Sequence, residues 1–194
     1  MGCNKRVGRQ SVRFDAPPRI VASATIAGDM EGEGPLGADF DVVIDDDLLD
    51  MDLVERYVTL ACVSNEVGGG LVGTAAWLGV PLAALLDRAG VQPGATQVVG
   101  RSVDGFTVGF PTDVVYDGRE AMVAVGMNGE PLPLEHGFPA RLVVAGLYGY
   151  VSATKWLTEL ELTTWESFDA YWVPRGWSKE GPIKTQSRID TPRA

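Results

Sequence analysis

Cysteine and histidine are nearly absent from this sequence: 194 residues hold two cysteines and one histidine. Cys3 and Cys62 are too few for a disulfide scaffold or a closed structural zinc site. A bridge between them is not expected, because Cys3 lies in a polar N-terminus of the kind that frays. Positive charge is scarce as well. The 16 Lys and Arg stand against 26 Asp and Glu, a formal net charge of -10. Such a chain repels nucleic-acid phosphates, and no basic stripe with interleaved aromatics offsets it. No apolar run is long enough to span a bilayer, and the n-region and h-region of a secretory signal are missing. The chain as given therefore reads as soluble. Any anionic ligand needs a local cluster of cations, set against the global charge.

What the chain does have is glycine and proline, 24 and 12, which predict a loop-rich fold whose backbone turns shape a pocket. Residues 1–18 are basic and read as a flexible lead-in, with Lys5, Arg6, Arg9, Arg13 and Pro17-Pro18; Arg19 follows. Residues 19–194 read as a single domain that is part of a longer protein. Strands are expected over Ile20–Ala27, Phe40–Ile44, Tyr57–Val63, Thr96–Arg101, Phe106–Phe110, Ala121–Val125, Leu142–Val144 and Trp156–Thr163. Gly28–Gly37 reads as a loop. Asp45-Asp46-Asp47 fits the first turn of a short helix or, alternatively, a hard-cation site. Leu82, Leu85, Leu86 and Ala89 recur at helical spacing over Pro81–Ala89, with Gly90 as a stop. Asp104-Gly105 and Asn128-Gly129 are hairpin turns. Tyr171, Trp172 and Trp177 fit packing of the tail onto a sheet, or else a pocket mouth. The fold class is α+β, with mixed β-sheets and few short helices.

Chemistry concentrates at a few places. Cys62 stands at the end of a strand, just before Gly68-Gly69-Gly70. A thiolate there is held by the strand, and the glycines let a bulky group approach the backbone. His136 sits in Glu135-His136-Gly137-Phe138-Pro139-Ala140-Arg141, where Gly and Pro make a rigid turn. Arg141 can bind a phosphate or a ring edge bidentately. Ser152, Thr154 and Lys155 follow a glycine-rich turn and suit phosphate binding.

From about Val58 to about Pro192 the chain resembles the molybdopterin-binding domain of the sulfite oxidase superfamily, which also includes the bacterial catalytic subunit that reduces protein methionine sulfoxide. The resemblance is carried by Thr59-Leu60-Ala61-Cys62-Val63-Ser64-Asn65-Glu66, Trp77-Leu78-Gly79-Val80-Pro81-Leu82 and Ser102-Val103-Asp104-Gly105. It continues through Met127-Asn128-Gly129-Glu130-Pro131-Leu132-Pro133, His136-Gly137-Phe138-Pro139-Ala140-Arg141, Gly146-Leu147-Tyr148-Gly149, Lys155-Trp156-Leu157 and Ser187-Arg188-Ile189-Asp190. It implies a sulfite-oxidase-like fold and a molybdenum–molybdopterin cofactor, with Cys62 as catalytic residue and metal ligand. Asn65, Ser102, His136, Arg141, Ser152, Thr154 and Lys155 are the implied cofactor contacts. A soft thiolate suits such a metal. The implied reaction is oxygen-atom transfer, or a related redox reaction, on a small or sulfur-containing substrate. A haem or quinone would be the redox partner, and a homodimer, export or membrane tethering of the full-length protein are open to it.

The chain also departs from the family. Asn65-Glu66 stand where family sulfite oxidases carry an arginine, and a carboxylate there repels sulfite. Ala145 replaces a usual proline, and the family's pterin-contacting N-terminal segment has no clear counterpart in Met1–Pro18. The departures leave a cofactor-free, non-catalytic module that retains the fold as one alternative. A Cys62–His136 nucleophile pair is another.

Overall fold

In a computed structural model of the chain, the described residues are 5–6, 12–13, 22–27, 42–43, 48, 51–66 and 68–186. Cys3, Arg9, Pro17-Pro18, Arg19, the 28–37 loop, Asp45-Asp46-Asp47 and the Ser187–Asp190 motif lie outside them. Within the expected lead-in, β1 (Lys5–Arg6) pairs antiparallel with β2 (Val12–Arg13).

Two five-stranded sheets form the body. The first contains β5 (Val54–Ala61), β6 (Val72–Pro81), β9 (Ala121–Met127), β10 (Glu130–Pro131) and β11 (Arg141–Val144), all antiparallel. Its order is β10-β9-β6-β5, with β11 also on β9. The second sheet has the order β4-β3-β12-β7-β8, from β3 (Ala22–Ala27), β4 (Val42–Val43), β7 (Gln97–Ser102), β8 (Thr107–Pro111) and β12 (Leu157–Thr163). It is antiparallel except for the parallel β3–β4 pair. Helices are short: α1 (Leu82–Ala89), α2 (Asp113–Tyr116) and α3 (Gly149–Ser152). The mixed-sheet α+β expectation is met.

Side chains on a strand alternate between its faces, and the first sheet buries both. Val80, Val123, Leu142 and Val144 face the main core with Leu82, Leu86, Val98, Val108, Phe110, Leu160 and Leu162. Met122, Ala124 and Val143 face a smaller core with Val58, Ala75 and Trp77. Arg141 leads β11 and stacks over Trp77 on that smaller side, its guanidinium carbon 5.0 Å from the ring centre.

Helix α1 buries Leu82, Leu85 and Leu86 and ends at Gly90, whose φ of +76° lets its N–H donate to the carbonyls of Leu86 and Asp87. Asn128 and Gly129, at φ +54° and +82°, make the two-residue hairpin turn that joins β9 to β10.

Strand β6, ten residues long, was not expected. Its glycines and alanines are weak strand formers, and a register shift between Leu78 and Gly79 breaks its alternation. The tail after β12 covers the outer strand of the second sheet: the Tyr171 N–H donates to Thr107 O and Oγ1. Its rings pack on one another, Tyr171 on Trp172 at 5.2 Å and Trp172 on Trp177 at 4.6 Å.

A Cβ on Gly79 would sit 2.2 Å from the Val123 carbonyl oxygen and 2.6 Å from Ala124 Cα. Both are backbone atoms of a paired strand and cannot yield. Gly79→Ala is expected to destabilise the fold by about 2–3 kcal/mol, read from urea unfolding; an unchanged midpoint would refute the close β6–β9 approach.

Candidate functional site

Strand β5 ends at Ala61, so Cys62 falls just past it, exposed and free of any disulfide. Its backbone is fixed: the Cys62 N–H donates to Leu71 O at 2.9 Å and the Asn65 N–H to Cys62 O at 3.0 Å. Asn65 clasps the same loop from inside, its Oδ1 accepting the Leu71 N–H at 2.7 Å. The first residue of α3 abuts this point, since a Cβ on Gly149 would lie 3.8 Å from Ala61 O. No group of three or more His, Cys, Asp or Glu gathers among the described residues. A metal at Cys62 would therefore take one soft ligand from them.

A second cluster forms where three segments meet. Residues 134–136 make a single 3-10 turn ending at Gly137, φ +109°. A Cβ on Gly137 would lie 2.9 Å from Lys155 Cβ and 3.2 Å from Arg141 Cβ, so a hydrogen at that position is what allows the two cations to approach. Arg141 Nη1 donates to His136 O at 2.9 Å, and Lys155 Nζ donates to Glu135 O at 2.9 Å. Trp156 ties the segments together at a strained φ of +50°. Its Nε1 donates to Leu134 O at 2.8 Å, its carbonyl accepts the Val103 N–H at 3.0 Å, and its ring lies 4.2 Å from Lys155 Nζ. The Val103 contact draws in the β7–β8 turn, with Ser102 and Asp104. Asp104 is held below its ordinary range, first by the Phe106 N–H it accepts.

The electrostatics of Arg141 set this cluster apart. Arg141 is only 6% exposed, yet none of the ion pairs among the described residues includes it. Burial alone pushes its pKa down from the ordinary arginine range to about 10. A buried charge without a counter-ion is costly, and the donor set around it fits an anion. The Ser102 hydroxyl is buried beside the Asp104 carboxylate, which it helps to hold below its ordinary range. A buried cation, a second cation and a glycine cradle together fit a phosphate-bearing group.

Other expected contacts fall elsewhere. Ser152 and Thr154 are fully buried. Ser152 Oγ donates to Tyr148 O at 3.1 Å, and Thr154 Oγ1 reaches Gly100 O at 3.4 Å between the two sheets. Their hydroxyls serve backbone carbonyls. Asn65 is the loop's clasp, its carbonyl oxygen already used. Among the described residues the His136 ring and the Cys62 thiol make no hydrogen bond, so the nucleophile pair weighed from sequence is not formed. Trp77, Trp156 and Gly137 were missed as site-builders. Their only sequence signal was membership in quoted motifs.

The thiol and Arg141 belong to one sheet, Cys62 just past the end of β5 and Arg141 at the start of β11, while Lys155 stands just before β12 of the second sheet. Trp77, under Arg141, donates through Nε1 to Val58 O at 3.1 Å. Cys62 is four residues further along β5, roughly 13 Å at strand rise. A group reaching both ends must be elongated. A separate cleft of about 730 Å³ lies between α2 and residues 179–182. Its cations are spoken for, Arg119 by Asp117 and Lys179 by Asp169.

Comparison with known proteins adds to this geometry. The profile of the oxidoreductase molybdopterin binding domain matches residues 37–172. That of stage V sporulation protein AD matches residues 8–60, too short a stretch to assign a family. Human mitochondrial sulfite oxidase is 32% identical over 168 residues, covering 75% of this chain and 30% of that protein. Tomato NADH nitrate reductase is 37% identical over 143 residues, 60% of this chain and 16% of that one. An oxidoreductase of Bacillus subtilis, YuiH, is 35% identical over 105 residues, 54% and 52% of the respective chains. The chain thus spans about half or less of the relatives it matches. The crystal structure of the sulfane dehydrogenase SoxCD from Paracoccus pantotrophus superposes with a TM-score of 0.56 at 27% identity, over 78% of this chain and 41% of that one.

The Arg141 charge predicts an unusual mutant. Arg141→Met keeps the packing and removes the charge, so the ligand-free chain should gain about 1–3 kcal/mol. With a folded pKa of about 10, below the ordinary arginine range, the charged form's penalty is full below pH 10 and fades only as pH rises above it. The gain should therefore be constant from pH 6 to 9. Inorganic pyrophosphate should raise the melting temperature of the parent chain and not of the variant. A destabilised Arg141→Met, or equal pyrophosphate effects, would show that the guanidinium is structural.

Proposed function

Since the chain belongs to the oxidoreductase molybdopterin-binding domain family, we propose that it holds a molybdenum–pterin cofactor and acts in oxygen-atom transfer or a related redox reaction on a small or sulfur-containing substrate. The observation that carries this reading is the buried Arg141, without an ion-pair partner among the described residues and close to Lys155, with the exposed thiol of Cys62 at the end of a strand in Arg141's sheet.

In this reading Cys62 gives the metal a soft thiolate, oriented by the strand end and the Asn65-clasped loop. Arg141 and Lys155 hold the phosphate end, with the guanidinium fork supplying direction and the ammonium a point charge. The His136 turn fixes Arg141 through its carbonyl, and its half-buried ring is free to meet the pterin. Ser102 stands beside the Asp104 carboxylate at the edge of the same cluster. When bound, the cofactor supplies two-electron redox chemistry with oxygen exchanged against water. A haem protein or quinone carries the electrons away or delivers them. The cluster that would grip the pterin is assembled, which favours this reading over a module that has lost its cofactor.

The test is molybdenum and pterin analysis of the chain expressed in a cofactor-competent host. About one molybdenum per chain is expected, falling at least tenfold in Cys62→Ser. Parent protein free of both metal and pterin would overturn the proposal.

A further inference from the structure

Five aromatic rings lie in an unbroken row that cofactor binding does not use. Tyr150 packs edge-on against Trp177 at 5.1 Å, Trp177 tilts onto Trp172 at 4.6 Å, Trp172 meets Tyr171 edge-on at 5.2 Å, and Phe106 closes the row 5.5 Å beyond Tyr171. We propose that Tyr150, Trp177, Trp172 and Tyr171 form a relay that carries a one-electron oxidising equivalent from the Cys62 end of the molecule to the surface at Tyr171, where it is discharged. The relay needs no cofactor and serves the chain whether or not one is seated.

The row begins at the thiol. Tyr150 is the second residue of α3, and the first, Gly149, abuts the residue before Cys62: a Cβ on Gly149 would lie 3.8 Å from Ala61 O. Successive Cα atoms are about 3.8 Å apart, so the Cα atoms of Tyr150 and Cys62 come within about 12 Å of each other. The order of the rings is fixed by the backbone. The Trp177 N–H donates to Trp172 O at 3.2 Å, which turns the two indoles towards each other. The Tyr150 hydroxyl donates to Ser178 O at 3.0 Å and the Tyr148 N–H to Gly181 O at 2.7 Å, which hold the segment carrying Trp177 against α3.

The two ends differ in what they do with a proton. A phenol gives up its electron together with its proton. At Tyr150 that proton is engaged by the Ser178 carbonyl, with the Glu180 carbonyl at 3.5 Å, and neither is a base; burial also holds this phenol above its ordinary range. An equivalent arriving there passes on to the indoles, which release an electron without first releasing a proton. Tyr171 is 38% exposed and can hand its proton to water. The Arg175 guanidinium carbon lies 3.6 Å from the Tyr171 ring centre, and a cation so placed opposes a radical cation on the ring while leaving the neutral, deprotonated radical untouched. Phenylalanine is not oxidised at such potentials, so Phe106 is the stop that packs Tyr171 in place.

Each event moves one electron. An oxygen-centred radical of the hydroxyl or carbonate class at the Cys62 end takes an electron from the row and becomes its anion. Trp177 and Trp172 are oxidised and refilled in turn. Tyr171 loses one electron and its phenolic proton, and a small thiol in solution returns a hydrogen atom to it, leaving as a thiyl radical. Cys62 keeps its thiol.

The free thiol is also the handle for the test. In the full, cofactor-free chain carrying Cys3→Ser, a ruthenium tris-diimine photosensitiser is tethered to Cys62 and oxidised by flash–quench. Transient absorption should show a tryptophanyl radical decaying into a tyrosyl radical, and a nitroso spin trap read by peptide mass spectrometry should place the second on Tyr171. Trp172→Phe and Trp177→Phe each keep a ring in place and should each abolish the Tyr171 adduct; Trp172→Tyr, which restores an oxidisable ring, should regain it. In Tyr171→Phe the tryptophanyl radical should persist. The same sensitiser free in solution reaches the exposed Tyr171 directly, so under it the Phe variants should match the parent, which separates a broken relay from an altered surface. Adducts from the tethered sensitiser that fall on Tyr57 or Tyr148 in place of Tyr171, a Tyr171 yield indifferent to both indoles, or no recovery in Trp172→Tyr overturns the proposal. None of these readouts involves molybdenum, so the relay and the cofactor reading fail separately.

Discussion

A guanidinium buried without a carboxylate is the constraint around which this molecule is arranged. Arg141 starts a strand whose other residues are all buried apolar ones, so its backbone position is dictated by the sheet. Its side chain is then left on the Trp77 face. There the fold supplies a ring to stack on and two carbonyls to bond, those of His136 and Leu142. Neither neutralises the charge. Gly137 and Trp156 are explicable in the same terms: the first removes a side chain that would keep Lys155 away, and the second accepts a strained backbone in order to tie three segments into one cationic pocket. A chain with a net charge of -10 concentrates positive potential here by placement, not by number.

The two ends of the site are built on different physics. At the Arg141 end, two cations are fixed beside a short turn and a strand start. At the sulfur end, the loop is clasped by an asparagine and backbone hydrogen bonds. Strand β5 connects the two through Val58, which accepts the bond from Trp77.

Much of the fold was legible in the sequence because its signals are local. The Asn128-Gly129 turn needs positive φ at both positions, the Leu82–Ala89 helix shows its apolar spacing and glycine stop, and Leu142–Val144 is a short apolar run. Strand β6 was hidden because Gly73, Ala75, Ala76 and Gly79 have no strand propensity; they suit places where neighbouring backbones come close, which is a tertiary fact. His136, Arg141 and Lys155 stood out in the sequence by residue type, and the structure places them in adjoining segments. Ser152 and Thr154 were read as phosphate contacts because hydroxyls after a turn suit that chemistry. Whether such a hydroxyl faces a ligand or a carbonyl of its own backbone depends on the packing of β7 against β11, which no local pattern encodes. Asn65 has the same explanation, since a loop clasp and a ligand contact look alike in sequence.

Strand β9 contributes to both apolar cores, Val123 to one and Met122 and Ala124 to the other, and β11, which carries Arg141, pairs along it. The unneutralised charge is thus wired into the part of the molecule on which global stability rests. An anion that seats on Arg141 repairs the whole two-sheet body by mass action, whereas a chain that never receives one opens more often and spends longer exposed to proteases. Occupancy of the site would then govern lifetime as well as chemistry, so that a cell short of the ligand clears the empty protein without a dedicated sensor.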